Sequence, residues 1–359
     1  MRFKRGYGVY VWLAALLAFF LLFQLCKNNM SVMDFFTRYI TAPYKQFVGS
    51  IMAVLPFSVA EWLCCALVIG CITYVIITIK RIIAAKGHRA EKVFHFALTV
   101  LCIPLTVYAG FTALWGANYY TQSFESRSGL VAAPVSVQQL YDTTALFAQM
   151  ANDAAAKTAR DENGLFAGKQ DEIFAKSKTL YRPLEEEYPF LKGAELGAKP
   201  MLLSEVMSIM NYTGFYFPFT GESNINIYEP AAFMPSTIAH EIAHQRGIAP
   251  EQTANFLSVR ACALSQDVNY QYSGYLLGYV HLSNALYAAD YSLWCNVAQS
   301  LSPLVVADLE HNRQYWQKYE SPVADAVDAT YSEFLKSYDQ ELGSKSYGAV
   351  VDLLVAYYA

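Results

Sequence analysis

The chain has 359 residues, 55% of them hydrophobic and only 16% charged. Ordinary soluble domains carry about a quarter charged residues, so part of this chain is expected to lie in lipid. The length leaves room for a membrane unit plus one domain with its own core. A net charge of −4 without a basic tract argues against a nucleic-acid partner.

Three apolar stretches, residues 8–26, 57–79 and about 94–115, reach the length of roughly 20 residues that a helix needs to cross a bilayer. Trp12, Trp62, Trp115, Tyr119 and Tyr120 lie near their ends, where amphipathic rings favour the interface. Glu61 is close enough to the start of the second stretch to reach the headgroups. Pro104 predicts a kink in the third, or a neighbour that packs against it. Arg2, Lys4 and Arg5 precede the first stretch, but its apolar run is long and no A-x-A-like cleavage site follows. Phe23, Gln24 and Leu25 also lack the small residues of a lipoprotein site before Cys26, so this stretch reads as an uncleaved anchor.

Basic residues set the expected orientation. The N-terminus and the second connection, with Lys80, Arg81, Lys86, Arg89 and Lys92, are expected in the cytoplasm. The first connection is sparser, with Lys27, Arg38 and Lys45, and only Arg127 follows soon after the third stretch. Residues 1–117 then form a multi-pass membrane anchor, and residues 118–359 an extracytoplasmic domain. Five cysteines fall in or beside the spans, where the residue behaves as a small apolar one. Cys262 and Cys295, in the outer domain, are either a disulfide or two buried thiols.

Residues 118–136 are polar and read as a linker. Beyond them the pattern is mainly helical. Ser136 is placed to cap a helix to about Ala154, and further helices are expected at 171–177, 183–190, 204–210, 236–246 and 250–264. Between Asn211 and Phe233 aromatic, Gly, Pro and Asn residues dominate, with a short strand expected at 224–228. Residues 220–226 are a candidate edge strand for an extended peptide. The apolar stretch 272–289 carries His281, Ser283 and Asn284, so it reads as a buried helix of the domain rather than a fourth span.

The chemistry is carried by His240-Glu241-Ile-Ala-His244, an H-E-x-x-H pattern. Residues four apart share a helix face, so His240 and His244 can present two imidazole nitrogens to one Zn2+ ion. Glu241, about 100° round the helix, is not a ligand but can act as general base on water polarised by the metal. Ser236 and Thr237 supply a helix start and Gly247 a stop. A catalytic zinc site needs a third protein ligand. Glu251 can return to the metal if the chain reverses at Gly247 and starts a new helix at Pro250; Glu222 and Glu229 compete for that role. Asn255 is a candidate to support a ligand from behind. Tyr212, Tyr216, Tyr228 and His281 are candidate donors to an oxyanion.

With these residues in view, the chain resembles a bacterial membrane-protein family known as domain of unknown function 3810. The resemblance rests on the three apolar helices, on Trp115-Gly-Ala-Asn-Tyr-Tyr120, Phe219-Thr-Gly-Glu-Ser-Asn224, His240 to Gly247, Glu251-Gln-Thr-Ala-Asn-Phe256, and Ser346-Tyr-Gly-Ala-Val-Val-Asp352. The motif is also similar to that of gluzincin peptidases, in which two histidines and a glutamate bind zinc. In membrane gluzincins the ligand glutamate sits in a Glu-x-x-Ala-Asp pattern, which Glu251 to Asn255 matches except for the final Asn. Two departures stand out: the spacing from His244 to Glu251 is short, and Arg246 holds a position that is usually apolar. The resemblance implies a zincin-like helical domain with a small strand element.

The expected function is a membrane-anchored zinc metallopeptidase acting on a protein or peptide substrate at the bilayer. The alternative is an extracytoplasmic sensor or binding protein whose zincin-like domain is not catalytic. An intramembrane protease is disfavoured, because Glu222, Glu229, Arg246 and Glu251 flank the motif and charges in lipid are costly.

Overall fold

The computed structural model describes residues 7–130, 135–340 and 347–359. Arg2, Lys4, Arg5 and Ser346 lie outside the described residues. The chain is mainly helical, with one small sheet.

Three helices, Tyr7–Cys26, Val59–Ile83 and Arg89–Leu114, are long and apolar enough to cross a membrane. Large side chains on them, such as Leu17, Leu21, Ile69 and Ile72, stay exposed, as expected where lipid rather than protein is the solvent. The first and third spans pack together, and the Trp12 indole N–H donates to Thr106 Oγ1 at 2.9 Å. Pro104 sits inside the continuous third helix. That helix begins at Arg89 rather than at 94 because its polar first turn, with Glu91 favourably near the N-terminus, is helical too.

The first connection is folded against the domain. It runs through helix Met30–Phe36, a π-helical turn Thr37–Thr41 and helix Ala42–Met52. The last of these has two faces: Tyr44, Phe47 and Ile51 are exposed, while Lys45 and Gly49 are buried. Gly221, at φ +70°, lies against Gly49, and a Cβ on Gly221 would stand 2.6 Å from the Lys45 carbonyl.

The expected linker is instead packed structure over residues 118–130; residues 131–134 of it lie outside the described residues. A 3-10 turn, Gly116–Tyr120, leads to helix Phe124–Ser128, with Asn118 and Phe124 buried. Aromatic residues interleaved among the polar ones give the segment something to bury.

The helical core is built on Val268–Ala289, which runs along Val137–Ala155 and against Glu251–Leu264. Ser136 and Gln139 form a capping box at the start of Val137–Ala155. Residues 272–289 are thus part of a domain helix, with Leu276, Tyr279, Leu282 and Leu286 buried. Cys262 and Cys295 are free thiols.

The sheet has the order β1-β3-β2, with β1 Lys199–Pro200, β2 Gly214–Phe217 and β3 Glu222–Ile225. β3 pairs parallel with β1 and antiparallel with β2. Residues 220–226 therefore supply the central strand, not an edge, and the strand ends at Ile225 rather than running on to 228. All four β3 residues are buried, since β1 and β2 flank the strand and a helix covers it.

The sheet is tied to the start of the second span. Ser58 caps that helix by accepting from the Glu61 N–H, and its hydroxyl donates to Asn224 Oδ1 at 2.7 Å. The Glu222 carboxylate accepts from the N–H groups of Val59 (3.1 Å) and Ala60 (2.8 Å) and from Lys199 Nζ (2.6 Å). A carboxylate is well placed at a helix N-terminus, where backbone donors lack intrahelical partners. Glu61 does not reach for headgroups; its carboxylate accepts from the N–H groups of Leu202 and Leu203.

Candidate metal centre

The H-E-x-x-H sequence lies on helix Met234–Gln245, whose first turn holds Pro235. Ser236 and Thr237 do not cap it, because both lie inside the first turn. The Ser236 hydroxyl donates to the Phe233 carbonyl and that of Thr237 to Glu229. The helix is fixed from several sides: the Tyr181 hydroxyl donates to the Ala239 carbonyl, Ser258 to that of Ser236, and Ser223 on β3 to that of Glu241.

Gly247, at φ +91°, ends the helix in the left-handed conformation that glycine adopts without strain. The Ile248 N–H bonds back to the Ala243 carbonyl, and Glu251 opens the next helix, Glu251–Leu264. The reversal brings Glu251 over the two histidines. Its Oε2 stands 3.1 Å from His240 Nε2 and 3.5 Å from His244 Nε2. Ligand atoms of all three residues lie within 4.8 Å of one another.

The far sides of both imidazoles are held. His244 Nδ1 is 2.7 Å from the Ile248 carbonyl, which can only accept, so Nδ1 carries the proton and Nε2 offers its lone pair. His240 Nδ1 is likewise 2.8 Å from Asn255 Oδ1. This is how metal-binding histidines are oriented and tuned. Tetrahedral zinc, with bonds of about 2.0–2.2 Å, spaces its ligand atoms roughly 3.3 Å apart, so the donor set fits that ion.

Glu241 is buried beneath β2, where a Cβ on Gly214 would stand 2.8 Å from its Cγ. Its Oε2 has no hydrogen-bond partner. Burial pushes its carboxyl up to about 8, His240 opposing and Glu251 reinforcing the shift. Burial also disfavours the charged form of Glu251, but His244 and His240 outweigh this and hold it well below the usual carboxylate range.

The other candidates separate clearly. Glu222 is committed to Lys199 and the second span, and Glu229 is buried on Thr237 with its carboxyl raised by burial. Neither joins the cluster of three. Tyr212 stands 6.3 Å, ring to ring, from Tyr331, and its hydroxyl is raised by burial first, then by Asp328 and Glu251. The Tyr216 ring packs on Trp115, with its hydroxyl buried and unpartnered. Tyr228 is half exposed beyond β3. His281 is pushed down to about 4 by burial, with a contribution from His240.

Three residues near the site were not assigned to it in the sequence, where Trp115 was expected at a membrane interface and Lys45 in a loop. The Tyr331 hydroxyl donates to Glu251 Oε1 at 2.6 Å from a helix 80 positions downstream. The Trp115 ring meets His244 edge-on at 5.3 Å. Lys45 Nζ lies 5.2 Å from that ring and 5.5 Å from the Tyr216 ring, and burial pushes its ammonium down to about 7. Only Tyr331 has no local signal; Lys45 lies opposite Tyr44, Phe47 and Ile51 in a two-faced helix. Arg246 turns away from the histidines to an ion pair with Glu185 at 3.0 Å.

The profile of a family described as a protein of unknown function (DUF3810) matches residues 36–355. The chain belongs to that family. No curated protein and no solved structure matches the chain significantly. The matched region of this DUF3810 member takes in the second and third spans, the sheet, His240, Glu241, His244 and Glu251.

Proposed function

We propose that this protein is a membrane-anchored zinc-dependent metallopeptidase. The observation that carries the reading is the convergence of His240, His244 and Glu251, with the outer nitrogen of each imidazole held by an acceptor. Zinc held there would supply Lewis acidity and bring the pKa of a coordinated water to about 7. A dication held beside Glu241 would favour its charged form, so that Oε2, unpartnered here, would take the proton of the attacking water and pass it to the leaving amine. β2 is the sheet edge beside Glu241, where an extended peptide can lie as an added strand. The distribution of basic residues supports an extracytoplasmic position for this site.

Elemental analysis of the full chain purified in detergent, combined with peptide hydrolysis, tests the proposal. About one zinc per chain is expected, lost in His240→Ala and Glu251→Ala. Glu241→Ala should retain zinc and lose turnover. A folded wild-type chain that takes up no zinc would sink the metal assignment. Zinc binding with undiminished hydrolysis in Glu241→Ala would reject that residue as the base.

A further inference from the structure

A cavity of about 850 Å³ lies between the first connection and the domain, with Lys45 in one wall and Arg246 and Gly247, just past the motif helix, in another. Arg38, Lys45, Arg127, Lys192 and Arg246 line it, against Asp34 as the one carboxylate in the wall. We infer that this cavity binds a phosphate-class anion.

The argument starts from Lys45, which is 4% exposed and has no carboxylate within ion-pair distance among the described residues. Lys199, the other buried lysine among the described residues, shows what an internal ammonium ordinarily requires: a carboxylate at 2.6 Å and two carbonyls. Lys45 has two ring faces instead, which return only part of the lost hydration. The remaining wall repeats the imbalance. Asp34 already accepts from the Gln122 N–H, Arg246 pairs with Glu185 but leaves its buried Nε unpartnered, and the Arg127 guanidinium stacks on the Phe190 ring at 4.0 Å. Several cations around one space suit an anion with several oxygens, and guanidinium forks match phosphate geometry.

The setting bears on the source. The helix that carries Lys45 presents Tyr44, Phe47 and Ile51 on its opposite, exposed face, as a helix at a membrane surface does. A lipid headgroup and a free phosphate share the chemistry the cavity recognises.

The experiment uses the full chain in a zwitterionic detergent, with Lys45→Met and Arg127→Gln as variants. Thermal unfolding is followed against inorganic phosphate, with chloride as the ionic-strength control. Native mass spectrometry counts bound phosphatidylglycerol against phosphatidylcholine. The expected result is a saturable phosphate response or one retained phosphatidylglycerol, weakened ~10-fold or more in each variant that folds. A response to phosphate assigns a soluble ligand, and retention of phosphatidylglycerol alone assigns a lipid. Circular dichroism checks folding, and Arg127→Gln decides the matter should Lys45→Met fail to fold. No response to either probe, or equal responses in wild type and a folded variant, would overturn the inference.

Discussion

Replacing Glu222 by alanine should destabilise the folded chain by about 3–5 kcal/mol without altering zinc content in the molecules that remain folded. The figure follows from the bonds that disappear. Glu222 is 3% exposed and accepts from Val59 N, Ala60 N and Lys199 Nζ. Each hydrogen bond to a charged group is worth about 1.5–3 kcal/mol, and the three overlap rather than add. The substitution strands the Lys199 ammonium, which keeps only the Met52 and Phe57 carbonyls. Unfolding of the full chain in detergent, read by tryptophan fluorescence against denaturant, gives the loss. Lys199→Met in the same background should recover part of it, with a coupling of about 0.5–3 kcal/mol. A Glu222→Ala chain within about 0.5 kcal/mol of wild type would refute the reasoning, since that is the range of an ordinary surface substitution. Zinc loss from the folded fraction would do so too, by making Glu222 a ligand.

Asn255→Ala frees His240 Nδ1 and should weaken zinc binding ~10–100-fold, measured by competition with a chelator. Gly214→Ala places a methyl group 2.8 Å from Glu241 Cγ and 3.1 Å from the Asn224 carbonyl, so hydrolysis should fall while zinc stoichiometry holds. Lys45→Met, measured without phosphate, should be more stable than wild type by a few kcal/mol at and below about pH 7. The folded chain holds the Lys45 proton less tightly than the unfolded chain, so the cost of the buried ammonium is full below pH 7. It fades as pH rises toward 10.5, and the advantage of methionine in denaturant titrations should fade over the same interval. A constant difference across that range would remove Lys45 as the cause.

Much of the site was legible in the sequence because its determinants are local. The i, i+4 histidines, the glycine stop and Glu251 fall within one helix, one turn and the start of the next, and fixed geometry brings them together. The spans were legible because an unbroken apolar run has one plausible environment. The sheet order was not: its strands have two to four residues, and β1 reaches β3 across a long intervening segment. Tyr331 was hidden for the same reason, being far from Glu251 in sequence and one tyrosine among 27. Lys45 read as a loop charge: the two-faced helix around it turns it inward, but its partners Trp115 and Tyr216 come from tertiary packing.

The tie between Glu222 and the second span bears on the order in which the molecule is made. Val59 and Ala60 leave the ribosome long before Glu222, and their unpaired N–H groups stand at the end of a span already committed to the bilayer. Lys199 and Glu222 then arrive as two charges that can be buried only by docking on that end. β3, which also holds the Glu241 carbonyl through Ser223, is thereby completed against an inserted membrane helix. The helix that carries His240, Glu241 and His244 is thus linked, through Ser223 and Glu222 of one strand, to the first turn of an apolar span.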